Sequence, residues 1–336
     1  MTSEAIHQFI LAGKFPGRAC VPELVETHIS WVILCGRFAY KIKKPIRYSF
    51  LDFSTLDRRK VVCEREVVLN RRLTKDMYLG VEPVKQNEGH YFIGADGGEI
   101  VDYAVVMRKQ DPARQMDRLL ARGQVSATHL ANLAGKIADF HKKTSIIITM
   151  DVRDVQEKFN DLQQEQGYLH DVLNKQSAGL ISRAVEASDS FMNNHEGILH
   201  RRLRDGCYRD CHGDLHSRNI FLVQPPQVFD CIEFNDDLRQ IDVLNEIAFL
   251  CMDLDAFGRQ DLSGSFLDFY NKVLPCIKTE GDRRLFIYYK SYRSNVRAKV
   301  NSLRARSARN ATEQLSALQQ TEKYLQLMDA YLQLLR

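Results

Sequence analysis

One stretch constrains this chain more than any other: residues 211–235, Cys-His-Gly-Asp-Leu-His-Ser-Arg-Asn-Ile-Phe-Leu-Val, a turn at Pro225-Pro226, then Gln-Val-Phe-Asp-Cys-Ile-Glu-Phe-Asn. A carboxylate, Asp214, precedes an amide, Asn219, by five residues, and a second carboxylate, Asp230, follows after the turn. Short apolar runs, Ile220 to Val223 and Val228 to Phe229, flank the polar positions. Runs of that length bounded by turn residues read as strands, and polar side chains at strand ends are how a sheet presents chemistry at a cleft.

The rest of the chain must supply a scaffold for that stretch. At 336 residues, 44% hydrophobic and 27% charged, it is long enough for two lobes with sizeable cores. A net charge of +4 is too small an excess to argue for nucleic acid. The eight cysteines (Cys20, Cys35, Cys63, Cys207, Cys211, Cys231, Cys251 and Cys276) are scattered, several within apolar runs, and read as reduced thiols of a cytoplasmic protein. The first residues lack a basic and an apolar segment of the secretory kind, and no apolar run reaches membrane-spanning length.

The first third reads as a small mixed lobe. Residues 3–12 form a short helix, ended by Pro16, Gly17 and Pro22. Leu24-Val25, Ile29 to Cys35 and Phe38 to Lys43 read as strands, with Gly36-Arg37 a turn. In the last of these Phe38, Tyr40 and Ile42 face one way, and Ala39, Lys41 and Lys43 the other. Ser54-Thr55-Leu56-Asp57 is a capping box opening a helix through about Leu73. Leu69 and Leu73 lie at i+3 and i+7 from Glu66, so Glu66 sits near the inward face, where a carboxylate needs a cation. Lys41 is the first candidate partner and Lys43 the second; Glu66 is preferred to Glu64. Val81 to Val84, Tyr91 to Ala95 and Ile100 to Met107 continue the sheet, with a turn at Asp96-Gly97-Gly98. A boundary near residue 108 divides an N-terminal lobe, 1–108, from a helical lobe, 109–336.

In the second lobe Leu130, Leu133, Ala134, Ile137, Ala138 and His141 share one face of a helix, with His141 a packed histidine. Residues 153–175, 177–203, 241–254, 262–274, 281–305 and 311–335 read as further helices. The last is read as a packing helix, with a coiled coil the lesser reading. Lys290, Arg293, Arg297, Lys299 and Arg304 make the helix at 281–305 basic, with Arg293 and Arg297 on a shared surface. That surface is either a solvated face or an anion-binding wall of a substrate cleft.

His-Gly-Asp-Leu-His-Ser-Arg-Asn at 212–219, with Phe-Asp-Cys-Ile-Glu-Phe at 229–234, resembles the aminoglycoside phosphotransferase and choline kinase-like superfamily. The whole chain is similar to a bacterial subgroup of aminoglycoside phosphotransferase family enzymes. Some members of that subgroup carry a fused P-loop domain; no G-x-x-x-x-G-K-[ST] occurs here, so that domain is expected to be absent. The resemblance implies an α+β, bilobal, protein-kinase-like fold: a small β-sheet lobe with one main helix and a larger helical lobe. It implies transfer of the γ-phosphate of ATP, with Mg²⁺, to a hydroxyl. Asp214 would orient that hydroxyl and take its proton. Asn219 and Asp230, with Glu233 as a further acid, would hold the metal. Lys41 or Lys43 would hold nucleotide phosphates and Glu66 the lysine. Thr27, His28 and Ser30 stand where such enzymes carry a phosphate-covering loop, although the glycines are missing and an ordinary turn reads equally well. Met107 begins the connector that would meet the adenine. His212 would support the loop, and Asp242 would brace it.

Three other readings stay open. Cys207, Cys211, His212 and His216 form a Cys-x3-Cys-His-x3-His cluster that could bind zinc, though not at a usual spacing. A protein Ser/Thr kinase, or a pseudokinase that binds nucleotide without turnover, fits the same residues. Within the enzyme reading the acceptor is a small metabolite. Asp236, Asp237, Asp253 and Asp255 would suit a polycationic one, whereas the basic helix, through Arg293 and Arg297, argues for an anionic metabolite or a phosphorylated sugar.

Overall fold

A computed structural model describes residues 1–16, 21–48, 51–94, 97–173 and 175–336. The chain divides into two compact units. The first comprises Met1–Arg118 and Arg218–Leu238, and the second Leu119–Ser217 and Arg239–Arg336. The first unit therefore runs past residue 108 and takes in the segment that carries Asn219, Asp230 and Glu233.

The first unit is built on an antiparallel sheet of β1 (Glu23–Glu26), β2 (Ser30–Cys35), β3 (Phe38–Lys43), β4 (Tyr78–Asn87), β5 (His90–Ile93) and β6 (Glu99–Arg108). The strands lie in the order β1-β2-β3-β6-β4-β5, which puts β3 in the interior of the sheet. Two helices explain the alternation read along β3. On one side Tyr40 and Ile42 pack with Ile33 and with Ile6 and Phe9 of α1 (Ser3–Ala12). On the other, Ala39 packs with Val105, Met107 and with Cys63 and Val67 of α2 (Leu56–Asn70). The period of two that places Ala39 toward α2 places Lys41 and Lys43 there as well. Thr55 caps α2, its hydroxyl accepting from the Arg58 N–H at 3.3 Å. The helix stops at Asn70, short of Leu73, where the Asn70 amide turns back onto the Glu66 carbonyl at 2.9 Å. Ala95 and Asp96, part of the strand and turn expected there, lie outside the described residues, as do Gly17 and Cys20.

The second unit holds α3 (Ala127–Lys143), α4 (Lys175–Arg204), α5 (Val243–Ala256), α6 (Gln260–Val273), α7 (Glu280–Arg306) and α8 (Ala311–Gln333). Every residue of α5 from Val243 to Asp255 is buried, four of them polar or charged (Asn245, Glu246, Asp253 and Asp255). The helix expected over 153–175 is broken instead into Asp154–Asn160, a turn of 3₁₀ helix at Asp161–Glu165, and Gln166–Val172. Its apolar burial is confined to Phe159, Leu162 and Leu169, too little to hold one straight helix together. His141 is buried and its Nδ1 lies 2.7 Å from the Tyr270 hydroxyl, as a packed histidine should be. On α8 Leu318, Leu325, Met328 and Leu332 are buried, the pattern of a packing helix. A two-strand ribbon, Tyr208–Asp210 against Gln240–Asp242, stands just before the 211–217 loop and α5.

The thiols need one correction. Cys63, Cys207, Cys211, Cys231, Cys251 and Cys276 are free, but Cys35 is disulfide-bonded, so the reading of all eight as reduced fails at the end of β2. Among the described residues no helix is long and apolar enough to cross a membrane.

Candidate functional site

In the first unit the two candidate lysines and three carboxylates form one alternating chain of charge. Lys41 Nζ donates to Glu66 Oε1 at 2.7 Å and to Asp230 Oδ1 at 2.5 Å. Lys43 Nζ pairs with Glu66 Oε2 at 2.5 Å and also with Glu233. Glu66 is fully buried and bridges both cations, which is what makes an ionised glutamate on the inward face of α2 tolerable. Burial alone would push both ammonium groups down. Asp230, Glu66 and Glu233 outweigh it at Lys41, and Glu233 and Glu66 at Lys43, so both are held above the ordinary lysine range.

The two lysines differ in access. The Lys43 side chain has no exposed surface and is closed in by Glu66, Glu233 and, at 5.5 Å, the Phe53 ring. The Lys41 side chain keeps 10% of its surface exposed and the Asp230 side chain 43%. Glu233 is spent on Lys43, and burial pushes its carboxyl above the ordinary range against the pull of that lysine.

Asp230 sits at φ 64, the left-handed region that a residue with a Cβ enters at a cost of about 1–3 kcal/mol. Its neighbours hold it there. The Asp230 N–H donates to the Tyr78 hydroxyl at 3.2 Å, and the Cys231 N–H to Asn70 Oδ1 at 2.9 Å. The Phe229 N–H donates to the Asn219 carbonyl at 2.9 Å, and the Phe229 ring stacks on Phe221 at 5.0 Å. Arg65 of α2 pairs with Asp236. The strand–turn–strand between Asn219 and Asp230 is thus pinned to the end of α2 and the start of β4. Tyr78→Phe removes the acceptor for the Asp230 N–H and is expected to lower the unfolding free energy by about 1–2 kcal/mol, measured by urea titration.

The remaining positions read from sequence in this unit lie elsewhere. The Thr27 hydroxyl accepts from the Ser30 N–H and donates to the Ser30 carbonyl, each at 3.0 Å, with Ser30 buried and Thr27 and His28 exposed. This is the bonding of a tight turn, and it uses up the Ser30 N–H that a phosphate loop would offer. Met107 is a core residue of β6, and the next two N–H groups donate to the Met77 and Arg37 carbonyls.

In the second unit the 211–217 loop is suspended from buried groups. Gly213, at φ 87, turns the chain where a side chain would strain it. Glu246 of α5 accepts the His212 N–H at 2.8 Å and the Gly213 N–H at 3.0 Å. Arg293 of α7 donates to the Gly213 carbonyl at 3.1 Å and to Asn245 Oδ1 at 2.7 Å, its guanidinium 4.8 Å from the Phe249 ring. The Ser217 N–H donates to Asp253 at 2.8 Å. His212 Nδ1 accepts the Asp214 N–H at 3.2 Å, a supporting role as expected. Asp214 itself keeps 35% of its side chain exposed, with His216 Nε2 3.3 Å from its Oδ2. Burial would raise its pKa, but His216, His212 and Arg297 together hold the Asp214 carboxyl well below the usual carboxylate range.

Three expectations change here. Asp242 does not brace the loop; it caps α5 and pairs with the buried Arg202 at 2.5 and 2.8 Å. The brace is Glu246, one helical turn further on, and its signal was a glutamate inside an apolar helix. Arg293 is buried and holds the loop backbone, its Nε donating to Asn245 and its Nη1 to the Gly213 carbonyl. The Cys-His cluster is dispersed among other partners: Cys211 Sγ donates to the Ile241 carbonyl, while burial pushes the Cys211 and Cys207 thiols up, away from the thiolate that a zinc ligand requires.

Comparison with known proteins bears on the fold. A choline/ethanolamine kinase family protein of Mesorhizobium loti matches with a TM-score of 0.53 at 11% identity, over 99% of this chain and 100% of that one. A choline kinase of Cryptosporidium parvum matches at 0.51 and 12%, over 93% and 88%. An aminoglycoside phosphotransferase mutant bound to GDP matches at 0.55 and 13%, over 96% of each. The chain has their fold. An uncharacterized protein of Mycobacterium tuberculosis and one of Mycobacterium bovis are each 32% identical over 285 residues, 83% of this chain and 54% of theirs. The chain thus spans about half the length of the curated relatives it matches. No family profile matches it.

Proposed function

We propose that the chain is an ATP-dependent phosphotransferase that moves the γ-phosphate to a hydroxyl of a small-molecule acceptor. The observation that carries this reading is the contact of Lys41 with both Glu66 and Asp230. A lysine held between an inward helix carboxylate and the acid of the 211–235 stretch is ready to pair with nucleotide phosphates. Of the two lysines Lys41 is the one with access; Lys43 and Glu233 hold each other and stiffen the Glu66 carboxylate from behind. The half-exposed Asp230 carboxylate and the Asn219 amide are hard oxygen donors of the kind Mg²⁺ takes. When bound, Mg²⁺ would offset charge on the phosphate oxygens. Asp214 would accept a hydrogen bond from the acceptor hydroxyl and orient it. The proteins that share the fold are described as choline or ethanolamine kinases and an aminoglycoside phosphotransferase, which supports a small acceptor over a protein.

γ-labelled ATP incubated with the protein and a metabolite pool is expected to give a labelled small molecule. Lys41→Met is expected to weaken Mg·ATP binding about tenfold or more, read by fluorescence titration. Label recovered only in protein, or only as inorganic phosphate, would defeat the reading.

A further inference from the structure

The basic surface of α7 is mostly spent within its own unit. Lys290 pairs with Asp255 and lies 4.5 Å from the Tyr331 ring. Arg293 serves the 211–217 loop. Lys299 pairs with Asp161 at 3.4 Å and Arg306 with Glu165 at 3.5 Å, while Arg304 is exposed. Arg297 differs from all of these. Its guanidinium lies 5.5 Å from the Tyr324 ring, and its buried Nε meets no acceptor among the described residues. The guanidinium hydrogen-bonds with Tyr324, and the carboxylates whose charge it feels are Asp253 and Asp214, but none of these meets the Nε. Asp253 already accepts the Ser217 N–H, and Asp214 faces His216. A buried donor on a cation is expensive to leave unmet, so its position points to an anion supplied from outside the chain.

Three of the four carboxylates that would suit a cationic acceptor have partners in turn. Asp255 takes Lys290 and the Tyr331 hydroxyl, Asp253 takes the Ser217 N–H, and Asp236 pairs with Arg65. We propose that Arg297 binds an anionic group of the acceptor beside Asp214, so that the substrate class is a hydroxy compound carrying a phosphate or a carboxylate. This rests on reading Asp214 as the residue that orients the acceptor hydroxyl. The guanidinium fork suits either anion.

Calorimetric titration tests it without turnover, and so independently of whether Asp214 acts in catalysis. The probes are glycerol 3-phosphate and glycerate, with glycerol as the neutral and ethanolamine as the cationic control. Wild type is expected to bind at least one of the anions more tightly than either control. Arg297→Gln should weaken that binding about tenfold or more, Arg297→Lys should retain part of it, and Lys41→Met should leave it intact, which separates this site from the nucleotide-phosphate lysine. Unchanged thermal melting of Arg297→Gln establishes that the loss is local. Equal affinity of wild type and Arg297→Gln for both anions, including no binding of either, overturns the proposal, as does tighter binding of ethanolamine. If the anions bind as expected while Asp214→Asn transfers phosphate as fast as wild type, the anion site stands and the role of Asp214 falls.

Discussion

Asp214→Asn is expected to slow phosphoryl transfer about a thousandfold, or about 4 kcal/mol of barrier, while leaving Mg·ATP binding within about twofold. The substitution is isosteric, and the loop it sits in is held by its backbone, through Glu246, Arg293 and Asp253, so folding should be little disturbed. The depressed pKa of Asp214 decides the kind of effect. A carboxylate held well below its usual range by His216, against its own burial, is a weak base. On the proposed reading it would orient the hydroxyl in the ground state and accept the proton late, once bond formation has made that proton acidic. This fits a loose transition state, in which positioning outweighs early deprotonation. The sign for pH follows: Asp214 stays ionised through the usual carboxylate range, so its protonation should produce no acid limb in the rate near pH 4. The associated stability is present above the unfolded-state pKa and is lost only as pH falls through the lower folded value. Single-turnover transfer of labelled phosphate measures the rate. A loss smaller than tenfold would remove Asp214 from the reaction.

Much of this architecture was written in local pattern. The alternation in 38–43 put Lys41 and Lys43 on one face, the capping signal at Thr55 marked the start of α2, and the spacing of Leu69 and Leu73 from Glu66 turned Glu66 inward. These are short-range regularities, legible because burial on two sides of β3 imposes them. What distinguishes Lys41 from Lys43 is not local. It depends on Glu233 and Phe53 closing over one ammonium and not the other, and Glu233 lies 190 residues from Lys43 in sequence. The same holds for α7. Its charges look alike along the helix, yet Asp255, Asp161 and the Gly213 carbonyl consume three of them, and these partners come from as far as 138 residues away. Asp242 was misread for a related reason. An acid at the head of a helix is satisfied by its own first turn, so it caps α5, and Arg202 then claims what remains.

Glu246, which took the bracing role, carries the second large expectation. Glu246→Ala would leave the His212 and Gly213 N–H groups buried without an acceptor, costing about 2–5 kcal/mol of stability and releasing the loop that aims Asp214. Glu246→Gln separates charge from shape. Burial pushes the Glu246 carboxyl up to about 7, against Arg293 and the two N–H groups it accepts. A group whose folded pKa is raised gives stability that is complete below the unfolded value, about 4.5, and declines as pH rises through the folded one. The wild-type protein should thus lose up to about 3 kcal/mol from this group between pH 4.5 and 8, a loss the glutamine variant cannot show. Urea unfolding of both proteins at pH 5 and pH 8 isolates it, because every other titrating group is common to the pair. Near pH 5 wild type is expected to be at least as stable as Glu246→Gln, and near pH 8 the order should narrow or reverse. Parallel pH dependences would mean that Glu246 is ionised throughout, and that its two N–H donors and Arg293 outweigh the desolvation of a fully buried carboxylate.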